Sequence, residues 1–266
     1  NSPHTECESA EPTDFTQSEH TQTKSAEPAE TDDGENGSPI DLTDSQYYLS
    51  RELSKLEFND RVLHEALDET NPVLERIKFL SIFTKNMDEF FMKRVGGLKQ
   101  QRAADITERS PDGRRPAQHW KEVLERSEPL FEKQCRCYHD LLKPALNEAG
   151  IDIIDYDTLS TDEQATLDEY FQNSILPTLT LLTIDSAKPF PHISNLSLSL
   201  GVLTQQSDRV EPTFSRIKIP GNRPRFVRVG SEDRFVLIED IVAANHDQLF
   251  PGVDILESAT FRVTRK

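Results

Sequence analysis

The sequence predicts an α+β fold: a helical N-terminal domain, then a mixed α+β domain, preceded by a disordered acidic tail. Three observations predict it. Residues 1–45 carry twelve acidic residues against the single Lys24, contain seven hydrophobic residues and show no period. Residues 46–150 repeat apolar side chains at steps of three and four, the spacing of a helix with one buried face. Residues 151–266 switch between that spacing and strict alternation, the mark of half-buried strands. The boundaries read from these shifts are 1–45, 46–150 and 151–266.

The whole chain of 266 residues has a formal charge of −17, of which the tail holds −11. Such a tail cannot bury enough apolar surface to offset the entropy of ordering it. The remainder is close to ordinary globular composition. No apolar run approaches the ~18–20 residues that span a bilayer, so no membrane span is expected. Cys7, Cys135 and Cys137 form neither a bridge framework nor a metal-ligand spacing, and read as reduced thiols of a cytoplasmic protein. No signal peptide is visible. The chain opens on Asn1 and closes inside the strand-like Thr260–Arg265, so a piece of a longer protein is expected.

The helical elements follow in order. Ser54-Lys55-Leu56-Glu57 fits a capping box opening a first helix through Phe58, Val62, Leu63, Ala66 and Leu67. Asn71-Pro72 opens a second, with Asn71 as cap, and Val73, Ile77 and Leu80 on its apolar stripe. Asn86-Met87-Asp88-Glu89 reads as another box opening a third helix through Phe90, Phe91, Arg94, Val95 and Leu98, weakened at Gly96-Gly97. A turn-rich linker spans 107–116. A long helix then carries Trp120, Leu124, Ser127, Phe131, Cys135, Tyr138, Leu142, Ala145 and Ala149 on one face and stops at Gly150. Pro129 and Pro144 should kink or break it.

Beyond Gly150, Ile151–Ile154 reads as a strand, and Ser160-Thr161-Asp162-Glu163 caps a helix to about Asn173. Leu196–Leu203 alternates as a half-buried strand. Phe214–Ile219 and Arg225–Val229 read as two strands joined by the turn Pro220-Gly221-Asn222. Glu239–Phe250 is a short helix and Val253–Val263 a last strand.

Several chemistries can be searched for and are missing from the pattern. The ten glycines form no phosphate-binding loop and no dinucleotide fingerprint, and no His-Glu-x-x-His or Gly-x-Ser-x-Gly occurs. His64, His119 and His139 lie on predicted helices without an obvious partner, which suits solvated or capping roles. Basic residues concentrate at 93–136, with eleven bases against seven acids, and at 216–228, with Arg216, Lys218, Arg223, Arg225 and Arg228 and no acid. Such clusters can focus a field on a polyanion or be ordinary solvated faces. Nucleic acid is not expected, because no aromatic-interleaved basic motif accompanies the charge.

Four ordered blocks carry a resemblance. They are Tyr48–Leu63 with Asn71-Pro72 and Arg76–Leu80, then Asn86–Val95, then Pro189–Leu198, then Phe261–Arg265. Together they resemble the histidine-autophosphorylating family of bacterial polyphosphate kinases over nearly all of 46–266. Lys55 and Lys85 depart from residues common in that family, Trp and Asn, and neither is a position to which a role is carried over. The resemblance implies the N-terminal domain and the beginning of the α+β head domain. It implies reversible transfer of the ATP γ-phosphate to inorganic polyphosphate through a phosphohistidine. That histidine and the residues that bind Mg²⁺ belong to the C-terminal half of the family, beyond Lys266, so no histidine here is assigned a catalytic role and the chain alone is expected to be inactive. It further implies that Asn86 contacts ATP as part of one wall of the nucleotide pocket, and that the head domain makes a homo-oligomer. On the residues alone, Asn86 reads as an N-cap ahead of a ligand contact, and the resemblance reverses that order. A non-catalytic helical and α+β module that binds a polyanion or a partner protein is the alternative.

Overall fold

A computed structural model describes residues 41–184, 192–205 and 211–265. Contacts divide the chain after Asp41, and Leu42–Lys266 is one unit. The predicted tail disorder falls, up to residue 40, outside the described residues. At 45–47 the chain makes a short 3₁₀ turn capped by the Asp44 carboxylate.

The helical part begins with α1, Arg51–Leu67. Its N-cap is Ser50, whose Oγ accepts the Leu53 amide at 3.1 Å, so the expected Ser54–Glu57 box does not form. Starting one turn earlier brings Leu53 and Leu56 onto the buried face, while Phe58 is turned outward beneath Lys55. α2 spans Val73–Phe90. Asn71 does not cap it; Pro72 holds the cap position and Asn71 turns back to donate to the Glu65 carbonyl at 3.0 Å. Near its start, buried Arg76 donates to the Ala66 carbonyl at 2.9 Å, setting a cation at the negative end of α1.

The third predicted helix start at Asn86 is not there. Asn86 lies inside α2, because Phe83, Met87 and Phe90 continue the buried period with no breaker between them. The helix passes through a π turn at Phe91–Val95 into α3, Gly96–Ala103. Across that turn the buried positions step by five, from Phe90 to Val95, because a π turn holds one more residue than an α turn.

α4, Pro116–Arg136, has Pro116 in its first turn and runs unbroken through Pro129. A second π turn, Cys137–Leu142, leads without a break into α5, Lys143–Glu148, whose second residue is Pro144. Gly150, at φ +82°, stops the helix as expected. The buried face is His119, Val123, Ser127, Cys137, Leu142 and Leu146, whereas Phe131 and Cys135 of the predicted stripe are exposed. Up to Cys137 the buried face follows 119, 123, 127, 130, 134 and 137, so the predicted steps through 131 and 135 run one residue off it before the π turn is reached.

The α+β part holds two sheets. β1 (Asp152–Ile153) pairs in parallel with β6 (Arg234–Leu237), which pairs antiparallel with β5 (Phe226–Arg228). The second sheet has the order β2 (Thr180–Ile184), β4 (Thr213–Lys218), β3 (Leu198–Gln205), β7 (Asp254–Arg262), all neighbours antiparallel. β4 and β5 therefore belong to different sheets, and Pro220-Gly221-Asn222 links the sheets rather than making a hairpin. β3 is central and buried on both faces, Ser199 included, which the Leu/Ser alternation did not show. α6 (Thr161–Tyr170) carries the predicted Ser160–Glu163 capping box, and with α7 (Ile238–Ala244) covers one face of the sheet through Leu167, Ile238, Ile241, Leu200, Val202 and Ile217.

Candidate functional site

A cleft of about 600 Å³ opens between the start of α1, the π turn leading into α3, and the 106–116 loop. Arg51, Lys93, Arg94, Arg109 and Arg114 line it, facing Glu52, Glu108 and Asp112. Lys93 pairs with Glu89 one turn back, Arg109 donates to the Gly113 carbonyl at 2.6 Å, and Arg114 binds Asp112 at 3.0 Å and Glu122 at 2.8 Å. Arg51 and Arg94 make no ion pair among the described residues. The first-turn amides of α1 add positive potential at the same wall.

The floor is a buried polar cluster built on His119, whose expected solvated or capping role is not what the structure shows. Its Nε2 lies 2.5 Å from Ser50 Oγ, 3.4 Å from Asp112 Oδ2 and 3.9 Å from Glu52 Oε2, with only 4% of the residue exposed. Ser50 thus caps α1 and ties it to α4 with one hydroxyl. Burial pushes the Asp112 carboxyl upward, but hydrogen bonds from Ser110 and Arg114 outweigh it and hold the group below its ordinary range. The same balance, with Arg114 and Gln118 donating, holds Glu122 low.

Asn86 does not line this cleft. It sits half-buried in α2, about two helical turns before Lys93 and Arg94, on the same run of helix that forms the cleft wall. Its amide makes no hydrogen bond to the described residues. Three residues on, a hydrogen bond from Lys93, with the charges of Lys93, Lys55 and Lys85, holds the Glu89 carboxyl below its ordinary range. Of the basic segment 93–136, four members gather at the cleft, while Arg126, Lys133 and Lys121 are spent on Glu57, Asp60 and Glu125. The 216–228 cluster does not form one surface. Arg216 is buried against the Ser199 and Ser197 hydroxyls, Arg225 pairs with Glu239, and Arg228 pairs with Asp233 over the Phe235 ring.

Sequence reasoning named Asn86 and the charge of 93–136, but missed Arg51, Ser50 and His119 as parts of one site. The signal for them is tertiary: α1 and α4 meet across 69 residues of sequence.

A family model described as the polyphosphate kinase N-terminal domain matches residues 48–154, and one described as the polyphosphate kinase middle domain matches 162–266. Polyphosphate kinase of Synechocystis sp. is 45% identical over 237 residues, covering 85% of this chain and 33% of the relative. That of Streptomyces coelicolor is 43% identical over 218 residues, covering 82% of this chain and 29% of the relative. The crystal structure of polyphosphate kinase from Porphyromonas gingivalis superposes with a TM-score of 0.71 at 28% identity, over 82% of this chain and 33% of that one. The chain spans about a third of the length of the relatives it matches. Two family models matched in order, relatives above 40% identity and a shared fold together place the chain in the polyphosphate kinase family, of which it carries the N-terminal region and at least part of the middle domain.

Proposed function

We propose that this chain supplies one wall of the nucleotide pocket of an ATP:polyphosphate phosphotransferase, and that Asn86 contacts the nucleotide there. The observation that supports this best is the Asn86 amide: half-buried, unpartnered among the described residues, and set inside α2 next to Lys85. An amide offers two donors and an acceptor, enough to read a base edge or hold a phosphate oxygen. The cations of the neighbouring cleft, Arg51 and Arg94 above all, suit an anionic substrate, ATP or polyphosphate. Phosphoryl transfer depends mainly on positioning and on charge stabilisation, and these residues can provide both.

The phosphohistidine step and Mg²⁺ binding fall to residues outside this chain. Among the described residues no three His, Cys, Asp or Glu side chains gather to hold a metal ion. Homo-oligomerisation through the α+β part and a cytoplasmic location belong to the same reading. No described helix is long and apolar enough to cross a membrane. The alternative, a non-catalytic module that binds a polyanion, draws on the same basic cleft. ATP binding by the full-length protein, wild type against Asn86→Ala, separates the two. A weakened ATP affinity supports the nucleotide wall; unchanged ATP affinity with retained polyphosphate binding favours the module.

A further inference from the structure

Three sequence blocks far apart in the chain meet at one junction on the end of α2 and the π turn. Arg262, the last residue of β7, places its guanidinium 2.8 Å from Asp88 Oδ1, across 174 residues of sequence. Asp88 is largely sheltered, its side chain 14% exposed. One turn on, the Asn195 amide reaches Met92 Sδ at 2.9 Å, and Asn195 Oδ1 accepts the Arg265 backbone amide at 3.0 Å. Leu196 is held at φ +57° with its amide on the Val263 carbonyl at 2.9 Å. The β7 end and the 193–197 loop therefore grip the last turn of α2 and the π turn as one polar clamp.

We propose that Arg262 is a positioning residue for the nucleotide wall: through Asp88 it sets the orientation of the α2 turn that carries Asn86. This rests on the reading of Asn86 as a nucleotide contact. Two residues apart on an α-helix lie about 200° apart around its axis. Asp88 can thus be gripped by β7 while Asn86, on nearly the opposite side, stays available to a ligand. Met87 between them is buried in the helical core and fixes the remaining side. The clamp acts where the helix is least regular, just before the π turn, so releasing it frees rotation at the turn that matters. Small misplacements of a substrate-positioning group carry large rate or affinity costs.

The test uses the full-length enzyme and steady-state polyphosphate synthesis with ATP as the varied substrate, alongside melting temperature. Arg262→Gln should raise the ATP KM about five-fold with kcat held within about two-fold, a binding-side signature. Asp88→Asn should reproduce it, and the exchanged pair Asp88→Arg with Arg262→Asp should restore much of the loss. In an Asn86→Ala background Arg262→Gln should add nothing, because the residue through which it acts is gone. A purely structural role would lower the melting temperature in both backgrounds and leave the KM effect independent of Asn86. An unchanged KM in Arg262→Gln and Asp88→Asn, or an equal rise in both backgrounds, overturns the proposal. If Arg262→Gln does not fold, Asp88→Asn alone decides by the same criteria. If Asn86→Ala leaves the ATP KM unaltered, the reading of Asn86 itself fails and the positioning role falls with it; if Asn86→Ala raises KM and the clamp variants do not, the clamp alone fails.

Discussion

Asn86 changes meaning once its place in α2 is known. As an N-cap, its replacement by alanine would remove a hydrogen bond worth about 1 kcal/mol. As an interior residue with an unpartnered amide, it contributes nothing of that kind, and alanine is the better helix former by about half a kcal/mol. Asn86→Ala should therefore leave the melting temperature unchanged or slightly raised while weakening ATP binding by about 1 kcal/mol or more, the scale of a ligand hydrogen bond lost. Calorimetric titration with ATP and a thermal melt read the two effects separately; a lower melting temperature with intact affinity would contradict both assignments. Ser50 shows the opposite case, a side chain with two intrachain duties. Ser50→Ala removes the α1 cap and leaves His119 buried without its hydroxyl partner. The expected loss is about 2–3 kcal/mol, from the cap and from the stranded imidazole together. A lower urea midpoint at unchanged slope measures it.

At the scale of elements, local signals were legible wherever one residue decides. Ser160 with Glu163 at a helix start and Gly150 at a helix end act through their own backbone, and both stand where the sequence places them. The Glu163 carboxyl shows how far such a local device goes: the Ser160 amide, Arg234 and the Ser160 hydroxyl bring its pKa down to about 2. What was not legible depends on phase or on distant partners. Two π turns interrupt the helices and no residue type announces them; at the first, the buried positions step by five from Phe90 to Val95. Ser50 and Ser54 are equivalent as caps in sequence; only the core that Leu53 joins chooses between them. β2 and β6 are short and lack clean alternation, and the burial of Ser199 on a central strand is set by neighbours on both sides. Asp240 in the first turn of α7 is similarly invisible in sequence. Burial first, then the charges of Glu239 and Asp155, raise its pKa to about 6 from an ordinary 3.8. A raised folded-state pKa means that the folded form binds the extra proton between those values, so stability falls as pH rises through that window. Asp240→Asn should accordingly raise the melting temperature relative to wild type at pH 7, with the difference fading as pH drops below about 4. A pH series of thermal melts on both proteins checks it, and a gain at pH 4 equal to that at pH 7 would rule out the charge as its cause.

At the scale of the whole molecule, the placement of the described histidines bears on the proposed division of labour. A phosphorylated imidazole needs an accessible ring nitrogen beside a clamped triphosphate, in line with the leaving oxygen. Of the described histidines, only His119 lines the cationic cleft, and its Nε2 is buried against Ser50. His64 and His139 are exposed on other helix surfaces, the latter edge-on to Tyr138 at 5.1 Å, and His192 lies exposed ahead of the junction loop. His246 keeps Nδ1 buried on the α7 side of the sheet. None combines access with a phosphate clamp. On the proposed reading Asn86, with Arg51 and Arg94 of the neighbouring cleft, binds and orients the nucleotide, and no described histidine is placed to accept the phosphoryl group. Purified chain 1–266, incubated with γ-labelled ATP and Mg²⁺, should carry no acid-labile phosphate, whereas the full-length enzyme labelled in parallel should. Stoichiometric labelling of the short chain at any of its seven histidines would assign the nucleophile to this part of the molecule and overturn the division of labour argued here.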